Sequence, residues 1–202
     1  METLTDEQLL IEYRNGAADR FELLVRRCSQ ELFHFLYRLL GSPAAAEDIV
    51  QETLLQVHLS ADRFDAERKF KPWVFTIAAN KARDYLRSQK RRPEVPLHAL
   101  TDPTGGSEAT FADLLGGSSV SPSLRIETEE RSRNIRKLVS ELPAPLKEVL
   151  ILGYYHGFAY REMAEILDVP IGTIKSRLHS AVAKLGLLLT AARSESDELV
   201  ED

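Results

Sequence analysis

Cysteine is nearly missing from this chain of 202 residues: Cys28 is the only one. An internal disulfide is therefore excluded, as is a zinc cluster built on cysteines. Glycine and proline number 10 and 9, too few for a collagen-like or low-complexity chain. No apolar run approaches the roughly 18 to 20 residues that span a bilayer. The opening Met1-Glu-Thr-Leu-Thr-Asp-Glu7 lacks the basic start and apolar stretch of a secretory signal, so a cytoplasmic location is expected, with no membrane insertion. The five histidines, His34, His58, His98, His156 and His179, are scattered, and none pairs with carboxylates at metal-ligand spacing. No glycine loop for phosphates and no nucleophile elbow is present. These absences argue against an enzyme, a metal and a cofactor. Strand patterns are nearly absent too.

What is present is helical periodicity and unevenly placed charge. The net charge of −5 looks wrong for a nucleic-acid binder. Residues 1–93, however, hold 15 basic against 14 acidic side chains, and residues 134–188 hold 7 against 5. The excess acid sits in 94–133 (3 against 7) and 189–202 (1 against 5). Local basic clusters, not the global sum, decide whether DNA is a partner.

Thr5-Asp-Glu-Gln8 is a capping box opening a short helix that stops at Asn15-Gly16. A second helix over about 19–40 carries the stripe Phe21, Leu24, Val25, Cys28, Leu32, Phe35 and Leu39, and Gly41 ends it. Ser42-Pro43 caps a third helix reaching about Leu59. A loop over 60–71 leads to Pro72, which opens a fourth helix ending at Arg91 or Arg92. Residues 94–122 are rich in Pro, Gly, Ser and Thr, apart from a short apolar turn at 111–115, and read as a linker. Helical pattern returns over 124–142, 145–155, 160–167 and 171–188, and an acidic tail expected to be disordered follows from about Ala191. The fold class is therefore all-α. The expected domains are an N-terminal bundle (1–93), a flexible acidic linker (94–123), a C-terminal helix-turn-helix domain (124–190) and a tail (191–202).

Residues 160–185 carry the plainest signal. Met163, Ala164 and Leu167 share one helix face, and Ala164 is small, as a close helix crossing needs. Asp168 sits where the turn calls for a left-handed backbone, which Asp tolerates. Val169 plugs the angle, and Pro170 starts the second helix. There Ile174, Leu178, Ala181, Val182 and Leu185 are expected to face inward. Gly172, Lys175, Ser176 and His179 face outward as a short, polar, positive surface, with Thr173 beside them and Arg177 at the flank, suited to base edges and phosphates. An ordinary helical hairpin with a solvated face explains none of these agreements.

Leu142-Pro143, Gly157-Phe-Ala-Tyr-Arg-Glu162-Met-Ala164 and Gly172-Thr-Ile-Lys-Ser-Arg-Leu178 resemble region 4 of extracytoplasmic-function (ECF) sigma factors, promoter-specificity subunits of bacterial RNA polymerase. One departure is Ala159, where the family has Ser or Thr, so the capping box with Glu162 is lost. The third helix, Ala46-Glu-Asp-Ile-Val-Gln-Glu-Thr-Leu-Leu-Gln-Val57, buries Ile49, Val50, Thr53, Leu54 and Val57. It leaves Asp48, Gln51, Glu52 and Leu55 on another face. Periodicity alone makes that face a solvated surface. The sequence resembles region 2.2, and the resemblance implies that this face grips the β′ clamp helices of core polymerase, with the β flap as a further contact of the protein.

The fourth helix keeps Val74, Ile77, Ala78, Ala82 and Tyr85 for the core. Thr76, Asn80, Arg83, Asp84 and Arg87 share another face, and Lys90, Arg91 and Arg92 add a positive end suited to phosphates. Trp73 reads as core or as a stacking platform, with core favoured. This stretch resembles regions 2.3 and 2.4, which melt and read the minus-10 element by exchanging base stacking for pocket contacts. The resemblance adds the preceding loop, with Phe64, Lys69 and Phe70 as members of the minus-10 surface. The expected partners are core RNA polymerase, promoter DNA and an anti-sigma factor or other inhibitor. The rival is a conventional helix-turn-helix regulator not carried by polymerase. It would need a sensing domain, and no α/β pattern or phosphoacceptor cluster supplies one.

Overall fold

The computed structural model describes residues 4–91 and 137–198, and every regular element among them is helical. The expected linker, the opening of the C-terminal domain, Arg92 and the last four residues lie outside the described residues. The elements are α1 (Asp6–Arg14), α2 (Ala18–Leu40), α3 (Pro43–Ser60), a 3₁₀ turn (Ala61–Arg63) and α4 (Phe70–Arg91). They continue with α5 (Ala144–Leu150), which runs into a π-type turn (Ile151–Tyr155), then α6 (Tyr160–Leu167) and α7 (Ile171–Glu198).

Local chemistry sets most boundaries. The Gln8 N–H donates to Thr5 Oγ1 (3.2 Å), and the Thr5 N–H donates to Gln8 Oε1 (2.8 Å), closing the box before α1. Gly41 ends α2 at φ 75°, a left-handed conformation that a Cβ disfavours. The Ser42 hydroxyl then accepts from the Ala45 N–H, and Pro43 begins α3. Helix α4 starts at Phe70, earlier than the expected Pro72, because Glu7 of α1 supplies an acceptor for the Phe70 N–H at 2.8 Å.

Two compact units are distinguished. One joins residues up to Arg91 with Pro143–Ala183, and the other joins Arg92–Leu142 with Lys184–Asp202. In the first, Leu9, Leu10, Leu24, Leu32, Phe35, Leu36, Phe75 and Ala78 of α1, α2 and α4 are essentially buried. They belong to one apolar cluster with Val149, Ile151, Leu152, Met163, Ile166 and Ile174. Burying a side chain of this size stabilises the fold by about 1.5–3 kcal/mol before entropy. Within this unit α6 lies along α4, and the π-type turn lies against α2. In the second unit the described parts are a helical turn at 137–140, where Leu138 and Val139 are buried, and α7 from Lys184 onward. The helix runs to Glu198, past the expected stop at Leu188, so the expected disordered tail is helical over 191–198.

Candidate nucleic-acid and partner interfaces

Helix α3 divides its residues as its periodicity demands. Ala46, Ile49, Val50, Thr53 and Val57 are buried, and the Thr53 hydroxyl donates to the Ile49 carbonyl (2.7 Å), which satisfies it inside the core. Leu54 is half-buried. Asp48, Gln51, Glu52 and Leu55 are exposed together, Leu55 by 56%, with Leu59 exposed one turn further. Glu52 meets Lys81 of α4 at 3.0 Å, so part of this strip is already electrostatically engaged.

On α4, Asn80, Arg87 and Arg91 are exposed, while Thr76 and Arg83 are half-buried. Arg83 Nη1 donates to Asn80 Oδ1 (2.9 Å), and Arg87 pairs with Asp84 (3.1 Å). The Thr76 hydroxyl donates to the Pro72 carbonyl at 2.9 Å. Phe64 and Phe70, expected at the DNA surface, are only 4% and 1% exposed in this conformation. Both rings pack on Trp73 (4.9 and 5.9 Å between centroids), and apolar burial outweighs any surface role in this conformation. Trp73 is half-buried: its core role stands, and one edge lines a cleft of about 390 Å³ with Glu67, Arg68, Lys69, Pro72 and Thr76, closed on its other side by Glu162 and Glu165 of α6.

The helix-turn-helix forms around Asp168 at φ 51° and ψ 54°, and the Val169 N–H donates to the Ala164 carbonyl at 3.1 Å. Pro170 receives the Thr173 and Ile174 N–H groups (2.8 and 3.3 Å) and so opens α7. Gly172, Lys175, Ser176 and His179 are exposed, and Thr173 and Arg177 are half-buried. Ile174 and Ala181 are fully buried, and Leu178 and Leu185 partly so. Val182, expected inside, is 62% exposed, because it stands about 100° round the helix from Ala181. The capping box before α6 is half kept rather than lost. The Ala159 methyl accepts nothing, but the Glu162 carboxylate still takes the Ala159 N–H at 3.0 Å.

The pattern along the chain did not reveal that these two parts meet. Glu162 of α6 pairs with Lys69 at 2.8 Å, and with the Ala159 N–H this holds its carboxyl below the usual range. Glu148 of α5, only 5% exposed, pairs with Arg83 at 3.0 Å. Burial raises the Glu148 carboxyl, while Arg83 and Arg177 pull it the other way. His156 enters an aromatic recess, 5.9 Å from Phe35 and 5.1 Å from Phe75 between ring centroids. Its Nε2 is buried without a hydrogen-bond partner, and burial with the nearby charges of Arg38, Lys71 and His34 pushes its pKa down to about 3. Arg38 lies over the Tyr155 ring at 4.4 Å, and Phe158 stacks edge-on to Phe75 at 4.9 Å. Two of the five cations expected on the minus-10 surface, Lys69 and Arg83, are therefore paired with acids of the helix-turn-helix part.

Among the described residues no helix is long and apolar enough to cross a membrane, and no cluster of three acidic, His or Cys side chains could hold a metal. The family model for sigma-70 region 2 matches residues 24–92, and that for sigma-70 region 4 matches 132–185. The chain is 32% identical over 168 residues to the ECF RNA polymerase sigma factor SigW of Bacillus subtilis, covering 83% of this chain and 88% of that one. It is 30% identical over 184 residues to the ECF RNA polymerase sigma-E factor of Escherichia coli K12, covering 89% and 92%. Among solved structures, the sigma factor RpoE in complex with the anti-sigma factor NepR from Bartonella quintana matches with a TM-score of 0.61 and 26% identity. The match covers 84% of this chain and 96% of that one. CnrH in complex with the cytosolic domain of CnrY shares the fold at a TM-score of 0.64 and 24% identity, over 92% and 97%. Two sigma models matched in chain order, and relatives similar along most of their length, leave one conclusion: the chain belongs to the ECF RNA polymerase sigma factors.

Proposed function

We propose that this protein binds core RNA polymerase and directs it to specific promoters, acting by position and not by catalysis, in the cytoplasm. Residues 1–93 dock on polymerase and handle the minus-10 element, and residues 124–190 hold the minus-35 element. The single observation that carries the reading is the α3 strip. Asp48, Gln51, Glu52 and Leu55 are exposed side by side on a helix whose other face is core. In a conventional regulator the strip would be solvated surface only; the resemblance to region 2.2 makes it the face on which polymerase docks.

In this reading Lys69, Thr76, Asn80, Arg83, Arg87 and the Arg91–Arg92 end meet minus-10 DNA. Phe64 and Phe70 support the loop from within. Gly172, Thr173, Lys175, Ser176, Arg177 and His179 meet minus-35 DNA. The names of the two elements place them roughly 25 base pairs apart, about 85 Å of B-form duplex at roughly 3.4 Å per base pair. Lys69 and Glu162 are 2.8 Å apart, so the helix-turn-helix must leave α4 before both elements are held. The described arrangement is thus a closed form that polymerase opens, and an anti-sigma partner that holds it closed would inhibit the protein. RpoE of Bartonella quintana, a structural neighbour, was solved in complex with the anti-sigma factor NepR.

The test is binding to purified core polymerase. Asp48→Arg with Glu52→Arg should abolish holoenzyme formation while leaving the helical content unchanged. Retained core affinity, or retained activity with that affinity lost, would return the conventional regulator to first place.

A further inference from the structure

Between the 3₁₀ turn and α4 the chain makes a short loop whose two ends are aromatic anchors. Phe64 and Phe70 are buried, meet edge-on at 6.3 Å, and both pack on Trp73. The residues between them, Asp65 to Lys69, are all exposed. Asp65 shapes their turn: its side chain accepts the Glu67 N–H and its carbonyl the Arg68 N–H, each at 3.0 Å. Both anchors have a backbone polar group left over, and both groups are taken by the same helix. Arg14 Nη1 donates to the Phe64 carbonyl at 3.2 Å. Glu7 Oε1 accepts the Phe70 N–H at 2.8 Å. Glu7 and Arg14 are seven residues apart, two turns of α1, and so lie on one face of it. Burial alone would raise the Glu7 carboxyl, but the Phe70 and Glu7 N–H groups, the Thr5 hydroxyl and Lys69 outweigh it and hold it low, so it stays ionised.

We propose that α1 is the clamp of the minus-10 loop. In this inference Glu7 and Arg14 fix the loop's two ends and thereby set which base the adjoining cleft admits. The inference rests on the minus-10 reading of that loop. Glu7 is an acid and would repel DNA, so its part is positioning. It fixes where Lys69 and α4 begin relative to Trp73 and Thr76, which line the cleft and remain when Glu162 and Glu165 of α6, its other wall, move away in the open form. Stability of the bundle does not require this device, because α1 already has its own cap in Thr5 and Gln8 and its own core residues in Leu9 and Leu10.

The experiment uses holoenzyme reconstituted from core polymerase and the full chain, with runoff transcription on a template pool randomised across the minus-10 element. Glu7→Ala and Arg14→Met should each flatten base preference there by roughly tenfold, near the lower end of the worth of one charge-assisted hydrogen bond. Preference at minus-35 and core affinity should stay at wild-type level. Glu7→Gln, which keeps an acceptor, should restore most of the preference. In the free chain, hydrogen exchange at the Phe70 amide should quicken about tenfold in Glu7→Ala, with the Ala78–Ala82 amides unchanged. An unaltered minus-10 profile in Glu7→Ala and Arg14→Met, beside an altered one in Arg68→Ala or Lys69→Ala, would overturn the clamp alone. Unaltered profiles in all four would overturn the loop reading and the clamp with it. An equal loss at minus-10 and minus-35 would reduce Glu7 to a structural part and also refute the proposal.

Discussion

Acidification should open the closed form, and His156 provides the magnitude. In the aromatic recess its pKa is pushed down to about 3. Exposed to solvent it returns to about 6.5. Its closed-state value is thus the lower of the two, so the stabilisation of the closed form is fully present above about pH 6.5. It is lost progressively as the pH falls toward 3. At pH 5.5 a proton favours the open form by a factor of about 11, or about 1.4 kcal/mol, and at pH 5 by about 30-fold, or about 2 kcal/mol. The charges facing the ring are Arg38 and His34 of α2 and Lys71 of α4, the last paired with Glu31 at 2.7 Å. All three neighbours of the ring add to its reluctance to protonate. Dyes on cysteines placed at the exposed Gln56 and Arg161 would report the separation of α3 and α6 by energy transfer. Native Cys28 would not compete, since burial and Asp6 raise its thiol to about 12. Transfer efficiency should fall between pH 7.5 and 5.5 in the wild type and stay high in His156→Leu, with helical content constant in both. An identical fall in His156→Leu would refute the reasoning by placing the titration elsewhere, with His34, whose imidazole burial and Arg38 hold low, the next suspect.

Other outcomes follow from the same contacts. Glu148→Gln removes the buried partner of Arg83 and should loosen the closed form by about 1–3 kcal/mol. Free protein should then bind a forked minus-10 probe several-fold more tightly, measured by anisotropy. Lys175→Ala should lower affinity for promoter complexes uniformly across sequences and reduce the logarithmic salt slope by about one. Gly41→Ala meets no steric obstacle but must adopt φ 75°, so it should cost about 1–2 kcal/mol and lower the melting temperature by several degrees. Phe35→Ala, at a fully buried site shared by the bundle and the His156 recess, should cost about 3–5 kcal/mol and show the same opening at neutral pH.

Periodic elements were legible because one rule governs them. The α3 stripe and the left-handed Asp168 turn are local consequences of residue spacing and backbone preference. Phe64 and Phe70 were not, because a loop has no period. Nothing near them in sequence announces that Trp73 will bury them. The closed form was hidden for a related reason: Lys69 and Glu162 stand 93 residues apart, and each reads as a solvated charge, one in a loop and one on a helix. Only the fold makes them a pair. The extension of α7 to Glu198 escaped notice because acids near a helix C-terminus oppose its dipole and read as a tail. Yet no proline interrupts the segment, and Ala191-Ala192-Arg193 are good helix formers.

On this reading the chain carries promoter choice to polymerase. The most direct measurement is runoff transcription from a genomic template library with purified core polymerase, with and without the full chain. A set of transcripts that appears only with the chain, and whose upstream sequences share two blocks at one fixed spacing, is the predicted result. Transcripts no different from those of core polymerase alone would contradict the account.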